Sequence, residues 1–405
     1  MTLKRFFGRF GLISLISCFG SHLLAEEYPN IDGSNNNLSN STLGTPDTHL
    51  KRIAPLAYSD GAEAMAGSDR PNPRDISNIV ANQTIDLPEP RGLSGMISLW
   101  GQFLSHDISL TESAFPFEAF NVDVPVGDVF FDASNNGNKL LPFNRSDYDK
   151  SIEATTSTPR QQINEITTWI DGSVVYGSEQ ERADFLRTFK KGKLKTSEGN
   201  LLPFNETLPN QGPPTSITFI AGDVRANENV PLTAMHTIWV REHNRLARQI
   251  RRANDDLTDE AIYQKARALV TAQIQAITYN EWLPALLGPH SLAPYTGYDD
   301  SVDPTVSHAF SVAAFRVGHT MLSNLVLRLD AEGNPIPEGN LALASAFFAP
   351  ERIIFEGGVA PVLRGAALQP SQTIDSFITN DVRNFLFGAP GFGGMDLVTF
   401  NIMRG

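Results

Sequence analysis

Apolar residues return every third or fourth position between Gly92 and Ser109, at Leu93, Met96, Ile97, Trp100 and Leu104, which predicts an amphipathic helix. Gln102, His106 and Asp107 fall near its C-terminal end. The run Pro231–Ala253 has the same period and opens on a proline, a residue suited to the first helical turn. Thr258-Asp-Glu260 is a start signal for another helix, expected to reach about Leu283 and to end at Pro284. A further long helix is expected from Ser307 to Leu329, with Phe310, Ala313, Ala314, Val317, Met321 and Leu325 along one side. Strand patterns are few and short. The expectation is a mainly α, helical domain with long irregular loops and little β structure. Residues 59–87 and 115–160 are rich in Gly, Pro, Asn and Asp and read as irregular segments.

Composition bounds the molecule. With 405 residues, 41% of them hydrophobic, the chain can bury a large core. A net charge of −13 argues against nucleic acid and anionic membrane surfaces as partners. Lys4, Arg5 and Arg9 precede an apolar run, Gly11 to Leu24, and then Ala25-Glu-Glu. That order reads as a signal peptide over residues 1–25, cut after Ala25. The run is shorter than the ~20 apolar residues a membrane-spanning helix needs, so no transmembrane segment is expected in the mature chain. The protein is then secreted, periplasmic or on the cell surface. Leu15-Ile-Ser-Cys18 offers an alternative, a lipidated Cys18. Cys18 is the one cysteine, so cleavage after Ala25 leaves no disulfide. Residues 26–50, rich in Asn, Ser, Gly and Thr, read as a flexible leader, and residues 51–405 as the domain.

Three segments hold the candidate chemistry: Trp100-Gly-Gln-Phe-Leu-Ser-His-Asp107, Ala221-Gly-Asp-Val-Arg-Ala-Asn-Glu228 and Ala314-Phe-Arg-Val-Gly-His319. An imidazole at His106 can accept and return a proton. The guanidinium of Arg225 can steady developing negative charge. A second imidazole, His319, can hold a metal. Among the other histidines, His236 and His243 share a helix face, but no carboxylate or cysteine spacing makes them a metal site, and both read as packed residues. His22, His49, His290 and His308 belong to no motif.

Residue types and spacing alone leave haem, zinc and non-haem iron open. The three segments, in order, resemble the animal-type haem peroxidases of the peroxidase–cyclooxygenase superfamily. Trp169-Ile-Asp-Gly-Ser-Val-Val-Tyr-Gly-Ser178, Arg241-Glu-His-Asn-Arg245 and Ile277-Thr-Tyr-Asn-Glu-Trp-Leu-Pro-Ala-Leu-Leu-Gly288 extend the resemblance from about Arg52 to the end of the chain. It implies a haem b with His319 as axial ligand, His106 as distal base, Arg225 beside it, and Gln102 ordering small ligands. Asn401 matches the residue that accepts the axial histidine's N–H; Arg316 and Arg404 match residues facing the haem propionates. It also implies a Ca²⁺ held by Asp107, Thr167, the Trp169 carbonyl, Asp171 and Ser173, all oxygen donors.

Two positions depart from the family pattern. Members often esterify the haem through one Asp and one Glu; Glu228 fills the second position, while Ser105 stands at the first. Asn229 stands where the strongest chloride oxidiser has Met. At most one ester link is therefore expected. Chloride oxidation is not; H₂O₂ reduction with bromide, iodide, thiocyanate or phenolic compounds as reductants is. In the family, the segment ending at Gly405 continues into further helices, so the chain reads as truncated. Two alternatives stand beside the peroxidase reading: a fatty-acid dioxygenase or cyclooxygenase relative, and a non-catalytic matrix or adhesion protein. The dioxygenases place a tyrosine where Arg316 stands and lack a counterpart of Arg225.

Overall fold

A computed structural model describes residues 28–67 and 69–404. The expected signal peptide, with Cys18, lies outside the described residues. As the patterning predicts, the architecture is mainly helical, and among the described residues the strands form three two-residue antiparallel pairs: Thr48–His49 with Ile163–Asn164, Val122–Asp123 with Leu140–Leu141, and Leu325–Val326 with Leu341–Ala342.

The longest helix, Val230–Ala253, runs through the core. Asn229 caps it by accepting the Leu232 N–H, and Pro231 sits in the first turn, where a missing N–H costs nothing. It packs against the helices Asp259–Ile277, Val359–Leu368 and Met96–Ile108. An aromatic cluster fixes the last of these contacts: Trp100 and the fully buried Phe103 meet Trp239 with ring centroids 5.9 and 6.1 Å apart. Such pairs add to the energy of simple area burial. Met96–Ile108 is thereby anchored on one side and presents Gln102 and His106 on another.

Four expectations need correction. Residues 28–50, read as a flexible leader, are tied down. Thr48–His49 pairs with Ile163–Asn164, Asn37 Nδ2 donates to the Asp300 carbonyl (2.8 Å), Arg267 donates to the carbonyls of Pro29 and Asn30, and Trp169 Nε1 donates to the Leu43 carbonyl. Polar composition hid contacts made by partners far along the chain. Residues 59–87 are not all irregular, because Pro73–Val80 is a helix, capped by Asn72 and carrying a buried arginine.

The helix from Asp259 does not stop at Pro284. It gives way at Ile277 to a wider π turn, Thr278–Trp282, and resumes as Leu283–Leu287 with the proline in its first turn. The bulge absorbs the clash that a proline would impose on a regular helix.

The long helix expected over residues 307–329 is broken. His308–Val312 is helical, Ala313 leaves helical geometry (φ −126°, ψ −68°), Ala314–Met321 winds as a 3₁₀ helix, and Leu325–Val326 is a strand. Phe310 stacks on Phe315 (4.8 Å), and Phe315 meets Trp282 edge-on (6.0 Å). Two rings five residues apart do not lie on one face of a regular α-helix, so this stack requires the break.

Candidate active site

One cavity of about 810 Å³ brings the candidate residues together. Gln102, Ser105 and His106 reach it from the helix Met96–Ile108, Arg225 and Glu228 from the segment before the longest helix, and Arg316 and His319 from the 3₁₀ turn. Residues three apart eclipse in a 3₁₀ helix, so Arg316 and His319 share the face turned to the cavity. Asn401 and Arg404 enter from the helix Leu397–Arg404.

The segment carrying Arg225 lies unusually close to the short helix Ser173–Tyr176. A Cβ on Gly222 would stand 2.2 Å from the Ser173 carbonyl oxygen, so only glycine fits there. Asp223 follows, and sequence reasoning did not single it out. Its Oδ1 accepts the Arg225 backbone N–H and Nε–H, each at 2.9 Å, and its Oδ2 accepts Nη2–H at 2.7 Å. The same Oδ1 lies 3.6 Å from His106 Nδ1. The available signal was its place two residues before Arg225, in reach of a short side-chain-to-backbone turn. Despite burial, the charge and hydrogen bonds of Arg225 hold the Asp223 carboxyl far below the usual carboxylate range.

Burial, reinforced by Arg225, pushes the His106 imidazole well below its ordinary pKa, so it is neutral. Its Nε2 stands 3.9 Å from Glu228 Oε2. Gln102 Nε2 donates to Glu228 Oε1 (3.1 Å), while Asn229 Nδ2 donates to Gln102 Oε1 (3.0 Å). Asn229 thus caps the longest helix with its oxygen and orients Gln102 with its nitrogen. Burial raises Glu228 to about 7, partly offset by Arg225.

His319, pushed by burial down to about 3, is also neutral, and Arg316 adds to the shift. The Asn401 amide meets its Nδ1 at 2.9 Å. Burial and the neighbouring Arg225 lower Arg316 to about 10, still charged near neutral pH, and its Nε donates to the Ser311 carbonyl. Arg404 donates through Nη1 to the Thr111 carbonyl (3.0 Å). A cavity of this volume, two neutral imidazoles and two guanidinium groups suit an iron-centred, dianionic macrocycle.

Behind His106, Asp107 turns into the protein. Its Oδ1 accepts the Val174 N–H (2.9 Å), and its backbone carbonyl accepts the Ser173 hydroxyl (2.8 Å). Asp171 Oδ1 accepts the Ser173 N–H (3.0 Å), while Asp171 Oδ2 and Thr167 Oγ1 are buried without a partner. Burial and the mutual repulsion of the carboxylates raise Asp107 well above its ordinary range; burial raises Asp171 to about 6. Unpartnered buried oxygens beside two such carboxylates fit a hard cation. Of the expected donors, Asp107, Thr167, Asp171 and Ser173 meet here, while the Trp169 ring N–H donates to the Leu43 carbonyl. His236 and His243 are packed residues, as expected. His236 lies edge-on to Phe103 (5.3 Å), and His243 bonds the Tyr176 hydroxyl and the Gly192 carbonyl.

The model of the family described as animal haem peroxidase matches residues 28–405. The chain is 34% identical over 406 residues to the dual oxidase of Drosophila melanogaster, covering 96% of this chain and 26% of that protein. It is 33% identical to peroxinectin A of Dictyostelium discoideum, covering 94% and 73%. It spans about a quarter of the length of the dual oxidases it matches. Among solved structures, peroxidase A from Dictyostelium discoideum superposes with a TM-score of 0.86 at 32% identity, over 94% of this chain and 76% of that one. A fatty acid alpha-dioxygenase of Arabidopsis thaliana shares the fold alone, with a TM-score of 0.72 at 19% identity over 93% and 62%. Over residues 28–405 sequence and fold agree: the chain belongs to the animal haem peroxidase family.

Proposed function

We propose that the protein is a haem peroxidase that reduces H₂O₂ and oxidises small anions or phenolic compounds. The observation that carries this reading is a single cavity lined by neutral His106, charged Arg225 and neutral His319. His319 would hold the iron through Nε2. An Asn401 amide turned with Oδ1 toward the ring would accept Nδ1–H and strengthen the imidazole as a ligand. Arg316 and Arg404 would face the propionates. The bound haem supplies a redox-active iron that no side chain can provide.

His106 Nε2 takes the proton of an entering peroxide and returns it to the departing oxygen. Arg225, clamped by Asp223, offers its remaining N–H groups to the negative charge that develops as the O–O bond breaks. Gln102, held by Asn229, donates its amide N–H to Glu228 and would order small ligands in the cavity beside them. Ser105 cannot form the ester its position carries elsewhere, and Asn229 cannot form a sulfonium link. A single link through Glu228 would leave the haem less distorted and less oxidising, which would suit bromide, iodide, thiocyanate or phenols rather than chloride. Ca²⁺ at Asp107, Thr167, Asp171 and Ser173, with the Trp169 carbonyl as a further donor, would tie the His106 helix to the loop beneath it. The N-terminal segment reads as an export signal, so the protein works outside the cytoplasm. A dioxygenase reading requires a tyrosine where Arg316 stands.

Stopped-flow mixing of the haem-loaded protein with H₂O₂ tests the proposal. His106→Ala should slow the reaction by about 10²–10⁴-fold with haem retained. An unchanged rate would remove His106 as the base. His319→Ala should abolish the Soret band; a normal five-coordinate spectrum would refute the axial assignment.

A further inference from the structure

We propose that Asp223 is the positioning residue of the distal pair: it keeps the His106 proton on Nδ1 and locks the Arg225 guanidinium, so that Nε2 meets the substrate as a free base. The inference rests on the reading of His106 as proton acceptor. Neutral histidine has two tautomers, and only the one protonated at Nδ1 has a lone pair on Nε2.

Two acidic side chains flank the imidazole, and an ester link at Glu228 would remove the charge of one and leave that of Asp223. Asp223 Oδ1 stands 3.6 Å from Nδ1, a buried nitrogen with no hydrogen-bond partner. Glu228 Oε2 stands 3.9 Å from Nε2. Asp223 is closer and ionised at every working pH, whereas Glu228, raised to about 7, is partly neutral near neutrality and already accepts from Gln102. The stronger field therefore lies on the Nδ1 side. The same carboxylate takes three N–H bonds from Arg225, two of them from the guanidinium, which fixes the direction of its free edge. One buried group thus sets both the tautomer of the base and the aim of the cation. Gly222 is what permits it, by letting this segment pass against the Ser173 carbonyl.

The test uses full-length holoprotein labelled with ¹⁵N-histidine, in its diamagnetic ferrous–carbonyl form, and long-range ¹H–¹⁵N correlation to read the His106 tautomer. The wild type should be protonated at Nδ1. Asp223→Ala should move the proton to Nε2 and slow the peroxide reaction by up to about 10²-fold, the lower end of what a placed acid–base group contributes. Asp223→Asn, which retains an acceptor without the charge, should keep the Nδ1 tautomer and fall between the two in rate. A wild-type His106 protonated at Nε2 overturns the proposal, as does an Asp223→Ala protein with wild-type tautomer and rate. If the variants fail to fold, the wild-type tautomer still decides. Failure of the peroxidase reading would be seen separately, as a wild-type haem protein that does not react with H₂O₂.

Discussion

Arg74 should be among the costliest surface-remote positions to lose, and its loss should reach the haem cavity. Its side chain is fully buried. Nε and Nη2 donate to the two oxygens of Asp128 (2.7 and 3.1 Å), Nη1 to Asp396 Oδ2 (2.8 Å) and the Arg383 carbonyl (3.3 Å), and Nη2 also to Asn384 Oδ1 (2.7 Å). Every N–H of the guanidinium is thus used. Asp396 in turn accepts the N–H groups of Val398 and Thr399 and the Thr399 hydroxyl, so it starts the helix that carries Asn401 and Arg404. Arg74→Met would leave two buried carboxylates without their cation. Breaking such a pair costs about 3–5 kcal/mol. Asp128 keeps Asn78 and two backbone N–H donors, and Asp396 keeps its capping bonds, which places the loss near 3 kcal/mol. That is a large share of the ~5–15 kcal/mol of a typical folded protein. Urea unfolding followed by circular dichroism measures it. The sign of the pH dependence is fixed too. Hydrogen bonds and charge from Arg74 hold Asp128 far below its ordinary pKa despite burial, so its contribution is present above about pH 4 and lost as the pH falls further. The gap between wild type and variant should therefore narrow in acid. A loss under about 1 kcal/mol at pH 7, or a gap that widens in acid, would refute the reasoning.

Asp171→Asn should change sign with calcium: it relieves repulsion with Asp107 and raises the melting temperature in chelator, yet lowers it in saturating Ca²⁺ by removing a ligand; the same sign in both media would reject the site. His243, pushed down to about 4 by burial, takes up its proton in the unfolded chain near pH 6.5, so folding free energy should fall by roughly 3 kcal/mol between those values. His243→Gln should make that limb of the urea-stability profile shallower, the rest belonging to His106, His236 and His319; an unchanged limb assigns it elsewhere. Acid–acetone should extract part of the haem from the wild type and all of it from Glu228→Gln, and two protein links in a digest analysed by mass spectrometry would overturn the single-link reading and restore the case for chloride.

Residues that act through a local pattern were legible in the chain. His106 and Gln102 sit one turn apart on a helix whose apolar period is regular, and Pro231 and Thr258 mark helix starts where the backbone begins to wind. Asp223 was not legible, because a carboxylate two residues from an arginine is commonplace until Gly222 lets that segment approach His106. The same holds for Arg74, whose five hydrogen bonds reach residues 54 to 322 positions away.

The sequence by itself determined the mainly helical class and the family, and it named both histidines and Arg225 as candidates, since these follow from periodicity and from ordered motifs. Tertiary structure alone decided where helices stop. The stack of Phe310 on Phe315 against Trp282 breaks the helix expected through His319, and the resulting 3₁₀ turn is what sets Arg316 and His319 on one face. It also decided that the polar segment 28–50 is held in place and that Asp223 stands between His106 and Arg225. Periodicity reports the preference of a chain for its own neighbours; these features depend on atoms supplied from far away, whose packing energy outweighs that preference.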